Sequence, residues 1–433
     1  MRRRILLASV LLLYTIPWHV AAQSIDSLLS MAMRTDPGFR QIEFAEERAE
    51  ARARSAGAWD APKAGVQFQM LSPLNPNPVT KGETMFMVEQ MIPLGGQKRT
   101  MAEAERSMAI LAEPERMALE RRLRREIEEE YYTMWEIDKK RELNRENRSL
   151  AELLYEDVEI KYTLSRGAQT DLYGLSIEIE GLDAEMKILA QKRKESSRRL
   201  NAIVGRSLDD SVVIVDEPDI PPLPPFNQLA DSLASHPDLL RMERMAQVER
   251  KMADAARSDL KPMLMVRGGI SWMPEGHPVR TRALGEMVNE FHSSGATHGE
   301  QIAISVGGML SFPLSSWSRS GPEGKAEDAE LAAEESLAER ERMLREMTAM
   351  LSKPYGMIER GQTMVDFYQD RQIPLLEQQL EALRADYIGN RVGFDRLLEV
   401  YKMLVMSREE ILMREGEMAR AWGEIRALTG NSK

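Results

Sequence analysis

The residues that could carry chemistry are few and lie far apart in the sequence. His277, His292 and His298 share the segment 274–300, which is also rich in Pro, Asn and Gly. Three histidines could coordinate a metal ion, but they do not have the carboxylate-backed spacing of a metal site, so a solvated loop is favoured. His236 lies at a helix start, and the chain has no cysteine. Thiol nucleophiles, disulfides and zinc–thiolate sites are therefore excluded.

The remaining motifs for catalysis are also missing. The sequence contains no nucleophile elbow, no phosphate-binding loop and no metal-ligand spacing. We therefore predict that the protein is not an enzyme and has no catalytic residues, no metal site and no cofactor. The 29 methionines keep soft-metal binding open as an alternative. Most of them fall at helical core positions or among charges, without a paired cluster, which favours packing.

The elements that could position any site begin with an export signal. Arg2, Arg3 and Arg4 precede the apolar run 5–16, and Ala21 and Ala22 follow it, which predicts a signal peptide at 1–22. Cleavage after Ala22 would leave Gln23 first, so the cysteine of a lipoprotein is missing. Removing three Arg and no acid changes the net charge from −11 to −14, which makes nucleic acid an unfavourable partner. Beyond the signal, no apolar stretch reaches the ~18 residues of a transmembrane helix.

The mature chain carries an internal duplication. Asp36-Pro37 matches His236-Pro237 at a separation of 200 residues, and Pro93 matches Pro313 at 220. Four further pairs are separated by 225 residues: Tyr162 and Tyr387, Arg166 and Arg391, Leu172 and Leu397, and Gly205 and Gly430. An ordered series with two insertions indicates two copies of one unit. We predict a first structural repeat at 23–207, a Pro-rich linker at 208–225 and a second repeat at 226–433.

Each repeat is predicted to contain a helix, two strands and a long helix pair. The strands fall at about 63–72, 83–92, 263–273 and 301–312, and each alternates apolar with polar residues. Segments of about ten residues with one apolar face are typical of tilted strands in a membrane β-barrel. The alternative is a two-sheet sandwich around a soluble core. Four strands cannot close a barrel, so the chain must oligomerise, and three copies would supply twelve strands.

The long helices carry a narrow apolar seam in steps of three and four. In the first repeat it runs through Leu172, Leu175, Ile179, Leu182, Met186 and Leu189 and resumes at Leu200 and Ile203, and in the second it runs from Leu397 to Leu428. Such a seam predicts coiled-coil packing against neighbouring helices. Pro114, Pro354 and Pro374 are expected to interrupt these helices. A soluble periplasmic coiled-coil adaptor is an alternative, against which the four strands argue.

Taken together, these segments resemble the TolC-type outer-membrane efflux family. The carrying stretches are PLLEQQLEALRADYIGNRVGFDRLLEV (374–400), YTLSRGAQTDLYG (162–174), the two helix starts and the strand exits MIPLGG and SFPLSS. The resemblance implies an α+β membrane protein, a homotrimer in which four strands per chain form a transmembrane β-barrel. A long antiparallel α-helical coiled-coil barrel would extend from the outer membrane into the periplasm.

The resemblance also implies partners and site residues. A periplasmic adaptor, an inner-membrane pump and outer-membrane lipid would be the partners, and small molecules the cargo, with copper- or silver-type cations as the alternative. The turns Ser165, Arg166, Gly167 and Asn390, Arg391, Val392 would be tips that contact the adaptor. Asn390 stands where such turns commonly have Gly.

Two acids complete the predicted site. Asp395 and Glu399 would form the pore constriction by the same resemblance, since a ring of carboxylates in a narrow entrance selects cations. The alternative is that both are merely exposed acids near a helix start, where the helix dipole favours them.

Overall fold

The computed structural model describes residues 23–69, 82–274 and 301–430. The predicted signal peptide, the end of the first predicted strand and the three histidines of the 274–300 segment lie outside these ranges. The described chain divides into two units. The helical unit consists of the residues up to Arg40, Arg116–Pro237 and those from Met343, and the sheet unit consists of Gln41–Glu115 and Asp238–Arg342.

Ten α-helices and four strands follow one another in the described residues. The first half of the chain contains α1 (Ile25–Thr35), α2 (Pro37–Gly57), β1 (Lys63–Gln69), β2 (Glu83–Pro93), α3 (Gln97–Ser107), α4 (Ala112–Thr163) and α5 (Gln169–Ile203). The second half contains α6 (Phe226–Ser232), α7 (Pro237–Ser258), β3 (Met263–Met273), β4 (Gln301–Ser311), α8 (Ser316–Phe367), α9 (Ile373–Ile388) and α10 (Phe394–Thr429). Apart from the end of the first strand, which lies outside the described residues, the strands begin and end within one residue of the ranges inferred from the sequence. No helix of the described ranges combines the length and the apolar character needed to cross a bilayer.

The proline near the start of each predicted repeat begins a helix. Asp36 lies between α1 and α2, where its carboxylate accepts a hydrogen bond of 2.6 Å from the backbone N–H of Gly38. Pro37 is then the first residue of α2, a position at which its missing N–H costs nothing. Pro237 begins α7 in the same way.

The helix-interior prolines have three different outcomes. Pro114 lies in the first turn of α4, directly after a 3₁₀ segment at Met108–Leu111. Pro374 follows a π-helical segment at Tyr368–Gln372, which accommodates the missing hydrogen bond. The interruption expected at Pro354 is wrong, because α8 continues through it. Leu351 and Ile358 are buried on either side, and this packing holds the turn together.

The predicted seam forms the core of the helical unit. In α10 the buried positions include Leu397, Val400, Leu404, Ser407, Met418, Ala421 and Ile425, which confirms the pattern, while Ile411 and Arg414 are half-buried. Leu397, Val400 and Leu404 share a cluster with residues of α4, α5 and α9, which include Leu154, Val158, Leu175, Leu376 and Leu380. Four helices thus share one apolar cluster.

The segment predicted as a linker is attached to the helical unit. The hydroxyl of Tyr131 in α4 accepts hydrogen bonds from the backbone N–H groups of Val215 and Asp216, both at 2.9 Å. The same hydroxyl donates to the carbonyl oxygen of Gln23 at 3.1 Å. Arg193 in α5 donates to the carbonyl oxygen of Val212 at 2.8 Å. These bonds hold an extended segment without a core of its own.

The sheet unit contains one antiparallel sheet in the order β1-β2-β3-β4. Val66, Phe86, Ile270 and Ile304 lie opposite one another across all four strands and therefore share a face. That face also carries Ala64, Phe68, Val88, Ile92, Leu264, Val266, Trp272, Ile302, Val306 and Leu310. Its apolar side chains are largely uncovered, with Ile304 79% and Val306 82% exposed. The opposite face includes an ion pair in which Arg267 Nη2 lies 3.1 Å from Glu89 Oε2.

Candidate functional site

The two helix tips of the helical unit have the same backbone geometry. Ser165 follows α4 and Asn390 follows α9, and both adopt left-handed conformations, with φ of 60° and 65°. The N–H of Arg166 donates to the carbonyl of Lys161 and that of Arg391 to the carbonyl of Asp386, each at 2.9 Å. A second bond in each turn, from Ser165 to Tyr162 and from Asn390 to Tyr387, completes a Schellman motif. Asn390 therefore takes the place of the usual Gly without changing the turn, because Asn tolerates this conformation.

A cluster centred on Tyr387 joins three helices next to these tips. Lys161 of α4 donates from Nζ to the carbonyl oxygen of Tyr387 in α9 at 2.6 Å, and the same ammonium lies 3.7 Å from the centroid of the Tyr387 ring. The Tyr387 hydroxyl donates to Asp171 Oδ2 of α5 at 3.1 Å. Burial, together with the charge of Asp171, raises the pKa of Tyr387 well above its usual range. The phenol therefore stays a neutral hydrogen-bond donor at every physiological pH.

A second contact connects α4 with α9 one turn away. Arg384 and Asp157 form an ion pair, in which Arg384 Nη2 lies 3.3 Å from Asp157 Oδ1 and Nε makes a shorter contact with Oδ2. Asp157 is buried and holds the pKa of Arg384 above its usual value through this hydrogen bond. Arginine and carboxylate meet here in a two-point geometry, which fixes the relative rotation of the two helices.

The predicted tip residues lie at the surface of this cluster. Ser165, Arg166, Asn390 and Arg391 are exposed, whereas Gly167 and Val392 are half-buried. Val392 packs against the apolar core of the helical unit. Arg391 forms an exposed ion pair with Asp386 at 3.1 Å.

The two predicted constriction acids lie on the first two turns of α10. Both Asp395 and Glu399 are exposed. Glu399 accepts a hydrogen bond of 2.6 Å from Arg396, one turn before it. Such exposed pairs are weak and exchange readily with solvent, so the carboxylate remains accessible to an ion. Within one chain the structure does not bring the two acids into a ring, and that role stays a prediction.

Sequence reasoning missed Lys161, Asp157, Asp171 and Arg384, because no motif connects them. Tyr387 was identified only as the repeat partner of Tyr162. The two tyrosines differ in environment, since Tyr162 is 42% exposed and Tyr387 only 2%. The contacts of Tyr387 depend on which helices meet, and this information is not local in the sequence.

A second candidate site lies on the polar face of the sheet. The register places Met91 of β2 opposite Met265 of β3, and Met265 opposite Met309 of β4. We call these three residues the methionine row. The expectation that the chain has no paired methionine cluster is therefore wrong, because strand pairing joins residues that are 174 and 44 positions apart. By contrast, the described residues contain no group of three His, Cys, Asp or Glu that could hold a metal ion.

No family model and no curated protein sequence matches the chain. Several solved structures are similar to the chain over most of its length. CusC has a TM-score of 0.71 at 16% identity, with 94% of this chain and 92% of CusC covered. The outer-membrane channel OprN has a TM-score of 0.72 at 15% identity, covering 94% and 90%. The outer membrane protein VceC from Vibrio cholerae has a TM-score of 0.68 at 16% identity, covering 94% and 96%. The chain therefore has the fold of TolC-type outer-membrane channels, as the sequence resemblance indicated.

Proposed function

We propose that this protein is the outer-membrane channel subunit of an efflux or export system. In this role it passes small molecules from a periplasmic adaptor and an inner-membrane pump to the outside. The observation that carries the proposal is the apolar face of the sheet, on which all four strands expose large apolar side chains, among them Val66, Phe86, Ile270 and Ile304. Soluble monomers rarely expose a continuous apolar surface of this kind. Contact with lipid explains it, while the opposite face with Glu89 and Arg267 would line an aqueous lumen.

A sandwich is the competing interpretation of the same strands. It requires a second sheet that covers the apolar face, and the described residues form one sheet only. The exposure of Ile304 and Val306 argues in the same direction. The sheet therefore fits a membrane wall better than half of a soluble core.

The edges of the sheet support assembly from several copies. Within the described residues, β1 pairs only with β2 and β4 only with β3. Unpaired backbone groups inside a bilayer cost several kcal/mol each, so both edges must find partners there. Pairing β4 of one copy with β1 of the next closes a barrel, and three copies give twelve strands. This count supports the homotrimer proposed from the sequence.

The helical unit is proposed to extend into the periplasm. α4 has 52 residues, which corresponds to about 78 Å at 1.5 Å per residue. The tips Ser165–Gly167 and Asn390–Val392 would contact the adaptor, and Asp395 and Glu399 would narrow the entrance once three copies surround it. The cluster around Tyr387 would then hold the helices of each chain together at this entrance.

The internal duplication is part of the proposal. Ser165 and Asn390 differ by 225 positions and share one turn geometry, and Gly205 and Gly430 differ by 225 and have φ of 71° and 76°. This offset equals the one found in the sequence. Two repeats per chain would give the assembled trimer six similar units.

Reconstitution tests the function directly. The full chain, extracted with detergent and inserted into planar lipid bilayers, should produce discrete conductance steps. Because the chain has no cysteine, any disulfide must form between cysteines that are introduced. Replacing Gln67 in β1 and Ala303 in β4 by Cys therefore tests whether these two edge strands pair between copies. We expect intermolecular disulfides and covalent species of up to three chains when both are present. A chain that leaves the cell as a soluble monomer after osmotic shock would refute the channel proposal.

A further inference from the structure

The methionines of the sheet are segregated. The four strands contain seven of them: Met85, Met87, Met91, Met263, Met265, Met273 and Met309. All seven lie on the face that carries Glu89 and Arg267, and none lies on the apolar face. The apolar face uses Val, Ile, Leu, Phe and Trp instead, so the two faces differ in the kind of apolar side chain that they carry. The thioethers are placed on the face where water-borne solutes would pass.

The methionine row has the geometry of a ligand set. Met91, Met265 and Met309 occupy directly opposite positions on three adjacent strands. Strands lie about 4.8 Å apart, so an ion above Met265 is about one strand spacing from each neighbour. The three rotatable bonds of a methionine side chain allow its sulfur to close that gap. Met263 is two positions from Met265 on the same face and can supply a fourth sulfur.

The surroundings leave the row open to a ligand. Met309 is 58% exposed, and Met91 and Met265 are half-buried. The next row towards the middle of the sheet contains Glu89, Arg267 and Gly307. The ion pair between Glu89 and Arg267 offsets the positive charge that would otherwise repel a cation. Gly307 has no side chain, and a Cβ added there would meet no atom within 4 Å, so it leaves space on this side of the row.

We propose that the methionine row binds a soft monovalent metal cation, Cu(I) or Ag(I). Neutral thioether sulfur is a soft ligand that favours Cu(I), whereas Zn²⁺ and harder ions need the His, Cys and carboxylate groups that this face does not assemble in the described residues. Binding depends only on the strand register. The further step, that such an ion is a cargo on its way out, rests on the proposed channel function. For export the site must release its ion, so exchange with solution should be fast.

Silver tests the site without redox chemistry. The full chain is purified in detergent and titrated with silver nitrate in chloride-free buffer, with binding followed by equilibrium dialysis. The test variant replaces Met91, Met265 and Met309 by Leu, a volume-conserving change that cores tolerate well. The control variant replaces Met350, Met403 and Met406 by Leu, since these exposed methionines lie on helices.

We expect the wild type and the control to bind at least one Ag(I) per chain at the same affinity. The test variant should bind more than about 100-fold more weakly, because loss of direct ligands must exceed the 10- to 100-fold typical of outer-shell changes. Equal affinity in the test variant would overturn the proposal, and so would a wild type that binds no silver.

X-ray absorption at the silver edge on the wild type provides a readout that does not depend on a variant folding. Two or three sulfur neighbours are expected, and nitrogen or oxygen neighbours alone would overturn the proposal. Bilayer conductance, measured on the same preparations, separates the two proposals. Silver binding without conductance would support the metal site and refute the channel. Conductance together with unchanged silver binding in the test variant would support the channel and refute the metal site.

Discussion

Replacing Val306 by Arg should prevent the sheet from inserting into a bilayer, while the same replacement at Ser305 should be tolerated. The two residues are neighbours in β4 and point to opposite faces. Val306 lies in the row of Val88 on the apolar face, and Ser305 lies in the row of Met87 and Gly269. The two variants therefore place the same positive charge at the same depth of the sheet, one on the apolar face and the other on the opposite face.

The magnitude follows from the strand geometry. β4 has 11 residues, or about 37 Å at 3.4 Å per residue, and a tilt of about 45° reduces this to about 26 Å along the membrane normal. That height matches the apolar band of ~25 Å found in membrane barrels. Val306 is the sixth of the 11 residues and would sit at the midplane, where an arginine costs about 2–4 kcal/mol. In a trimer the three substituted positions lie far apart, so their free-energy costs of insertion add to about 6–12 kcal/mol.

Folding into phospholipid vesicles measures this cost. Each variant is diluted from urea into vesicles, and the fraction protected from protease is followed as a function of urea. We expect Val306→Arg to remain largely unprotected and Ser305→Arg to follow the wild type. Equal protection of both variants would show that the apolar face does not contact lipid, and the barrel proposal would fail with it.

Three further perturbations concern the helical unit. Replacing Arg166 and Arg391 by Glu should abolish export in cells without reducing trimer assembly, because both side chains are exposed at the tips. Unchanged export would show that the tips do not contact the adaptor. Tyr387→Phe removes the hydrogen bond to the Asp171 carboxylate but keeps the aromatic ring under Lys161. A double-mutant cycle with Asp171→Ala, measured by denaturant unfolding, should therefore give a coupling free energy of about 1–2 kcal/mol. A coupling near zero would mean that this hydrogen bond does not stabilise the fold. Burial, reinforced by the charge of Glu185, raises the pKa of Glu409 above its usual value near 4.5, so the folded state loses stability as the pH rises from there and Glu409 must ionise. The thermal midpoint of Glu409→Gln should therefore increase relative to that of the wild type as the pH rises. Parallel pH profiles of the two midpoints would contradict the raised pKa.

Local patterns in the sequence were sufficient for the elements. The period of two in 301–312 predicts a strand with one apolar face, because successive side chains of a strand point to opposite sides. The steps of three and four from Leu397 to Leu428 predict a buried helical seam for the corresponding reason. The turn at Asn390 could be located too, since Asn and Gly end helices by entering the left-handed region. These features depend on neighbours within a few residues.

Contacts between distant residues could not be obtained in this way. The continuation of α8 through Pro354 depends on what surrounds Leu351 and Ile358, whereas the local rule predicts a break. Tyr162 and Tyr387 are equivalent positions of the predicted repeats, yet Lys161 and Asp171 contact Tyr387.

The sequence by itself determined the strands, the helices and their apolar faces, because each follows from short-range periodicity. Only the tertiary structure decided which side chains meet. Strand register is set by pairing across the whole sheet, and a shift of one residue would send Met91, Met265 and Met309 to different faces. Methionines that appear scattered along the chain become a row only when β2, β3 and β4 are aligned.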